Sequence, residues 1–131
     1  MIEVAGFRRP LRAGLAVGVI LALTPAAPAL ADARAGAAVF KRDCAVCHSA
    51  RRNEIVVGPS LAGVVGRRAG AAAAFPYSAA MKASGAVWNA ESLEAFIAAP
   101  RKAIPRTNMA SPGVADPGQR RDLVAYLTTL K

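Results

Sequence analysis

Histidine occurs once and cysteine twice in this chain of 131 residues. A structural zinc site takes four ligands, usually cysteine or histidine, so the chain lacks the donors for one. Acidic residues are scarce too, 8 against 17 lysines and arginines, giving a formal net charge of +9. No acid–base pair stands out among them to argue for catalysis. Aromatic residues are few, with four Phe, two Tyr and one Trp. There is no alternation of strand and helix of the kind that holds a thioredoxin-like cysteine pair. Internal repeats are absent, and no apolar run is long enough to cross a bilayer comfortably.

What is present is concentrated. The histidine and both cysteines fall in one pentapeptide, Cys44-Ala45-Val46-Cys47-His48. CxxCH is the attachment signal for c-type haem. On a helix, residues three apart leave the same side, so both sulfurs can reach vinyl groups on neighbouring pyrroles of one haem. The histidine beside Cys47 then meets the iron from the proximal side. A plain disulfide would leave His48 without a role. One pentapeptide implies one haem c, covalent through Cys44 and Cys47, with His48 on the iron.

The amino terminus carries an export pattern. Arg8, Arg9 and Arg12 precede an uncharged, mostly apolar run from Ala13 to Leu23, and Ala29-Leu30-Ala31 offers small residues at the two positions a signal peptidase reads. The expectation is a cleavable signal peptide over residues 1–31 and a haem domain over 32–131 in the periplasm. An uncleaved anchor is the alternative, opposed by Pro25 and Pro28, which interrupt any extension of the run. The Arg8-Arg9 pair suggests twin-arginine export of a folded protein, but haem of this type is attached after translocation, so threading the unfolded chain is simpler.

The 100 residues from Asp32 to Lys131 make a single small domain. A chain of that size buries only about two thirds of its unfolded surface, so a covalently held porphyrin would form much of the core. Phe40, Phe75, Tyr77, Trp88, Phe96 and Tyr126 are expected to line the haem or the helix contacts. The pattern predicts a helix from Asp32 to about Cys47, then mostly loop from Arg51 to Gly70, where glycines cluster. Asn89 is placed to cap a helix through Glu91, Leu93, Phe96 and Ile97 that stops before Pro100. Asp116-Pro117-Gly118-Gln119 has the form of a capping box with proline at the first helical position. The helix it opens carries Leu123, Tyr126, Leu127 and Leu130 at spacings of three and four. Gly36 would let the first helix cross it closely, against Tyr126 or Leu123.

With no second histidine, two histidines cannot both hold the iron. Met81 and Met109 are the methionines of the domain. Met81 belongs to a short helical turn after Ser78 and suits pocket lining. Met109 ends Ile104-Pro105-Arg106-Thr107-Asn108-Met109, a proline-bearing loop between two helices, and is the expected second axial ligand.

Over essentially the whole of this domain the sequence resembles class I cytochromes c, the mitochondrial type and its soluble bacterial relatives. Gly36 and Phe40 precede the pentapeptide as in that family, and Gly58-Pro59-Ser60-Leu61 is similar to its GPxL segment. The resemblance implies that the Pro59 carbonyl accepts a hydrogen bond from the free ring nitrogen of His48. It also implies that Arg67, Tyr77, Trp88 and Thr107 hold the haem propionates, and that Leu123–Leu127 belongs to the carboxy-terminal helix. The implied fold is all-α: the small cytochrome c fold, three main helices plus short turns and loops wrapped around one covalently attached haem. Four positions depart from the mitochondrial pattern. Phe96 and Ala103 stand where tyrosines are usual, Met81 replaces an asparagine and Arg106 a glycine. Together they make the distal side less polar, and the expectation is a Met109–iron bond that is easier to displace.

Removing Arg8, Arg9, Arg12 and Glu3 with the leader leaves 14 basic and 7 acidic residues. Lys41-Arg42, Arg51-Arg52, Arg67-Arg68, Arg101-Lys102 and Arg120-Arg121 occur as pairs. In the resembling fold several would surround the exposed haem edge and steer the protein onto acidic faces of membrane or periplasmic redox proteins, in a salt-dependent way. Nucleic acid is not an expected partner outside the cytoplasm, whereas transient contact with an anionic membrane surface is. The expected function is a soluble, monomeric, non-enzymatic electron carrier. The alternatives are the haem c subunit of a periplasmic oxidoreductase, or a ligand-binding or peroxidatic cytochrome with labile methionine ligation.

Overall fold

The computed structural model describes residues 30–131. The expected leader lies outside them except for its last two residues, Leu30 and Ala31, which are irregular. Among the described residues no helix is long and apolar enough to cross a membrane.

Helix α1 spans Ala33–Val39, and Asp32 caps it by accepting the Arg34 N–H at 2.8 Å. The expected single helix to Cys47 is corrected here. From Phe40 to Cys44 the chain widens into a π-helical turn, closed by the Ala45 N–H on the Phe40 carbonyl at 2.9 Å. Such turns insert one residue into the helical register and are frequent at functional sites. Apolar periodicity does not reveal them. Long loops follow, fastened to each other by isolated bridges of His48 with Ile55 and of Arg68 with Val87. Helix α2, Ala79–Ala83, starts on Ser78 as expected and buries Met81.

Helix α3, Ala90–Ala98, begins on Asn89. Its cap is reciprocal, because Asn89 accepts the Ser92 N–H at 2.8 Å while the Ser92 hydroxyl accepts the Asn89 N–H at 2.9 Å. The helix stops before Pro100, which opens a further short helix, α4, Pro100–Ala103, that the sequence pattern did not suggest. Helix α5, Pro117–Thr129, begins where expected, with Asp116 accepting the Gln119 N–H at 2.7 Å. Only this half of the expected capping box forms, because the Gln119 side chain accepts from Arg42 at 2.7 Å instead.

α1 crosses α5 at Gly36. A methyl group on Gly36 would overlap the Asp122 backbone carbonyl and stand 2.9 Å from Tyr126 Cβ. Phe40 and Tyr126 stack beside the crossing with ring centroids 5.4 Å apart. The core joins Val39, Phe40, Leu123, Val124 and Leu127 of this crossing to Leu93 and Phe96 of α3, and to Met81, Trp88 and Ile104 from the connections. Among the described residues the structure has helices and no extended strand, as an all-α fold requires.

Candidate haem site

The cysteine turn follows directly from the π-helical segment. Beyond Cys44 the chain tightens, and the Cys47 and His48 N–H groups both donate to the Cys44 carbonyl, at 3.0 and 2.8 Å. One turn thus carries Cys44, Cys47 and His48, with the two cysteines three residues apart on the same side. Cys44 is partly buried against the core. Before the haem is attached, burial, with Asp43 adding to it, pushes its thiol up to about 11.

The His48 ring is oriented from the loop that follows. Its Nδ1 lies 2.8 Å from the Pro59 carbonyl. A carbonyl only accepts, so Nδ1 carries the proton and Nε2 keeps its lone pair. Burial lowers the basicity of this imidazole, and the Pro59 hydrogen bond opposes that in part. Gly58 makes the approach possible, because a Cβ there would stand 2.5 Å from His48 Cε1 and 2.7 Å from Nδ1. The same loop is tied back by the Val57 and Gly58 N–H groups, which donate to the Cys47 carbonyl at 3.1 and 2.7 Å.

Arg67 stiffens the loop carrying Pro59 by donating to the Ser60 carbonyl at 2.8 Å and the Ala62 carbonyl at 3.1 Å. A cavity of about 200 Å³ adjoins it, bounded by Arg52, Pro59, Ser60 and Arg67. Tyr77 is close enough to feel the Arg67 charge. Burial raises its hydroxyl above the ordinary tyrosine value, while Arg67 and a hydrogen bond from Ala72 pull it down. Trp88 is buried, packs on Phe96 with ring centroids 5.1 Å apart, and donates its backbone N–H to the Arg67 carbonyl at 2.9 Å. Trp88 thus lies beside the Arg67 backbone, although 21 positions separate the two.

Met109 sits on the loop between α4 and α5, half-buried against the apolar cluster that Cys44 and Tyr77 also border. Thr107 is buried and turns the loop, its N–H donating to the Ile104 carbonyl at 3.1 Å and its hydroxyl accepting the Met109 N–H at 3.4 Å. The far end is pinned where the Val114 N–H donates to the Ile97 carbonyl at 2.9 Å. Gly113 permits this with φ +95°, because a side chain there would strike the carbonyls that end α3. Arg120 reaches back from α5 to the Val114 and Ala115 carbonyls, at 2.8 and 2.7 Å. Arg106 adopts φ +66°, a conformation that favours glycine and strains other residues.

Several members of the basic pairs have partners within the chain. Arg42 is bonded to Asp43 and Gln119, Arg51 is paired with Glu54, and Arg67 and Arg120 are bonded to loop carbonyls. Arg67 and Arg120 keep their charge while their donors hold loops.

The donor set fits a haem: two thiols on one turn, an imidazole with a free Nε2, and a thioether bordering the same apolar cluster. A small helical domain built this way is a covalent haem protein. The sequence model of the family described as cytochrome c matches residues 33–131. Cytochrome c of Guizotia abyssinica is 43% identical over 97 residues, covering 73% of this chain and 87% of that protein. Cytochrome c2 of Rhodopila globiformis is 44% identical over 96 residues, covering 73% and 91%. The solved structure of cytochrome cH from Methylobacterium extorquens superposes with a TM-score of 0.70 at 41% identity, covering 75% of this chain and 98% of that one. The chain belongs to the cytochrome c family, with its small all-α fold and one haem c joined through Cys44 and Cys47.

Proposed function

We propose that the protein is an exported electron carrier of the periplasm, with residues 1–31 as a cleavable leader and residues 32–131 as the working domain. Membership of the cytochrome c family supports electron transfer, and the leader pattern supports export. The observation that carries the site is the 2.8 Å contact of His48 Nδ1 with the Pro59 carbonyl. It leaves Nε2 as a metal donor of fixed orientation, and a hydrogen-bonded Nδ1 makes the ring a stronger donor. In this assignment His48 Nε2 and the Met109 sulfur would hold the iron. Arg67, Tyr77, Trp88 and Thr107 would hold the propionates. When bound, the haem supplies one-electron chemistry between ferrous and ferric iron, at a potential that methionine ligation raises.

The chain's own part is to stay still. The loops bearing Pro59 and Met109 are each fastened by hydrogen bonds to neighbouring elements, so little rearrangement accompanies a change of charge. With His48 and Met109 both holding the iron, no position would remain for a substrate, which supports a carrier rather than an enzyme. Its net positive charge steers it towards acidic surfaces of membrane or periplasmic redox proteins. The deciding experiment is an absorption spectrum of the purified protein, oxidised and reduced, with and without carbon monoxide. A c-type spectrum with the ferric methionine band and no carbon monoxide shift is expected. Ready carbon monoxide binding would overturn the assignment of Met109.

Arg106 favours a second function. Its φ of +66° strains the loop just before Met109, and Phe96 supplies no hydroxyl nearby. A loop of this kind releases its methionine more easily, which would admit small ligands or peroxide to the iron. Cyanide or imidazole affinities no tighter than those of mitochondrial cytochrome c would exclude it.

A further inference from the structure

Asp122 of α5 holds α1 at two points. Its backbone carbonyl lies against Gly36, where a methyl group would overlap it. Its carboxylate accepts the Asp32 N–H at 2.8 Å. Asp32 and Gly36 are four residues apart and so share one face of the helix, with the Gly36 N–H donating to the Asp32 carbonyl at 2.9 Å. The Asp32 side chain accepts the Arg34 N–H at 2.8 Å, so this residue has its N–H, carbonyl and carboxylate all engaged. The two residues before it differ. Leu30 is 94% exposed, Ala31 is exposed as well, and neither has a hydrogen-bond partner among the described residues. Hydrogen bonding therefore begins at the residue that cleavage after Ala31 would make the first.

The half-buried Asp122 carboxylate has no cation beside it. Two ion pairs occur among the described residues, Arg42–Asp43 and Arg51–Glu54, and Asp122 belongs to neither. Arg121 adjoins it on α5 but reaches back towards Gly118, its Nη2 lying 3.9 Å from where a Cβ would stand. On α1, Arg34 meets Asp32 through its backbone N–H and not through its guanidinium. In a strongly basic domain, this carboxylate faces a neutral amide nitrogen.

We propose that cleavage between Ala31 and Asp32 is itself a stabilising modification, because it converts the Asp32 N–H into an α-ammonium that pairs with Asp122 and ties α1 to α5. The proposal rests on the leader boundary given above. An export endopeptidase breaks the C–N bond between Ala31 and Asp32. One water supplies hydroxyl to the Ala31 carbonyl carbon and a proton to the nitrogen. The new carboxyl then releases its proton to the amine, so a carboxylate leaves with the leader and an ammonium stays on Asp32. The nitrogen already stands 2.8 Å from Asp122 Oδ1, so the pair forms without moving either helix. A charge-assisted hydrogen bond of this kind is stronger than the amide bond it replaces. A positive charge at the start of a helix opposes the helix dipole, and the Asp32 and Asp122 carboxylates offset that. An ordinary α-amine titrates at about 7.7–8.0, and a facing carboxylate favours its charged form and raises that value. The stability due to the pair is then complete below about pH 8 and is lost as pH rises through the higher folded value.

The test uses haem-loaded protein purified after export, in four forms. These are the wild type, Asp122→Asn, a variant with one asparagine inserted between Ala31 and Asp32, and the two changes combined. Asp122→Asn keeps an accepting oxygen and removes the charge, while the insertion carries the ammonium one residue away and leaves an amide on Asp32. Intact mass gives the first residue of each, and the wild type is expected to begin at Asp32. At about pH 6, Asp122→Asn is expected to lower Tm by about 2–6 °C, and by less than half as much when the asparagine is inserted. That difference should vanish by about pH 10, where the amine is neutral. At about pH 7 the α-amine of Asp122→Asn should be acylated about threefold faster than that of the wild type. Equal Tm losses with and without the insertion, or equal acylation rates, would overturn the proposal and leave the leader boundary standing. A wild-type first residue other than Asp32 would overturn both, and the mass alone shows it. If Asp122→Asn does not fold, the insertion variant decides. A wild-type advantage in Tm that shrinks between about pH 6 and about pH 10 supports the pair, and a constant one overturns it.

Discussion

At the scale of single residues, the site depends on how closely the backbone can approach a ring. Gly58 lies against His48 so tightly that a methyl group would come within 2.5 Å of Cε1. Gly58→Ala is therefore expected to displace the imidazole, weaken the Nδ1–Pro59 bond and lower stability by about 1–3 kcal/mol. Thermal unfolding of the haem-loaded protein and the His48 ring resonances would record both effects. Tyr77 yields a prediction in pH. Burial holds its hydroxyl above its ordinary value near 10, so the unfolded chain releases that proton first. The stability tied to it is complete below about pH 10 and is lost as pH rises through the higher folded value. Tyr77→Phe is expected to lose less Tm between pH 7 and pH 11 than the wild type does, and an identical loss in both would refute this.

At the scale of elements, two local devices set where the helices lie. Gly36 brings α1 onto the backbone of α5 at Asp122. A carbonyl oxygen has no rotamer with which to move aside, so Gly36→Ala must part the helices. The expected cost is about 3 kcal/mol or somewhat more, seen as a large fall in Tm. The Asn89–Ser92 cap is milder. Asn89→Ala removes one acceptor at the start of α3, which costs roughly 1 kcal/mol and lowers Tm by about 4–8 °C in a domain of this size. The electron-transfer rate should not change, because α3 supplies no proposed ligand. Both devices were partly legible. Gly36 and Asn89 stand out in the pattern, and Ser92 three residues beyond Asn89 is a signal that a fuller scan for reciprocal caps would find. The π-helical turn and α4 were not legible, since each depends on packing that apolar spacing does not encode.

At the scale of the whole molecule, charge distribution decides behaviour that total charge cannot. The basic surplus predicts that oxidation by a membrane oxidase slows on the order of tenfold as salt rises. Arg42, Arg51, Arg67 and Arg120 show why composition misleads here. Each carries a full positive charge, yet Arg42, Arg67 and Arg120 have donors bonded within the chain and Arg51 is ion-paired with Glu54.

The sequence by itself determined the cofactor and its covalent attachment, because CxxCH places every atom that chemistry needs within five consecutive residues. It also determined the capped starts of α3 and α5, where short-range hydrogen bonds suffice. Tertiary structure alone decided how closely Gly58 packs on the His48 ring, that Arg67 turns its guanidinium to the Ser60 and Ala62 carbonyls, and that Gly113 seats the Met109 loop against the end of α3. Those are contacts between segments distant along the chain or separated by irregular loops, where no periodicity constrains the path. They exist only once α1 has closed on α5 and the loops have been fastened around the core.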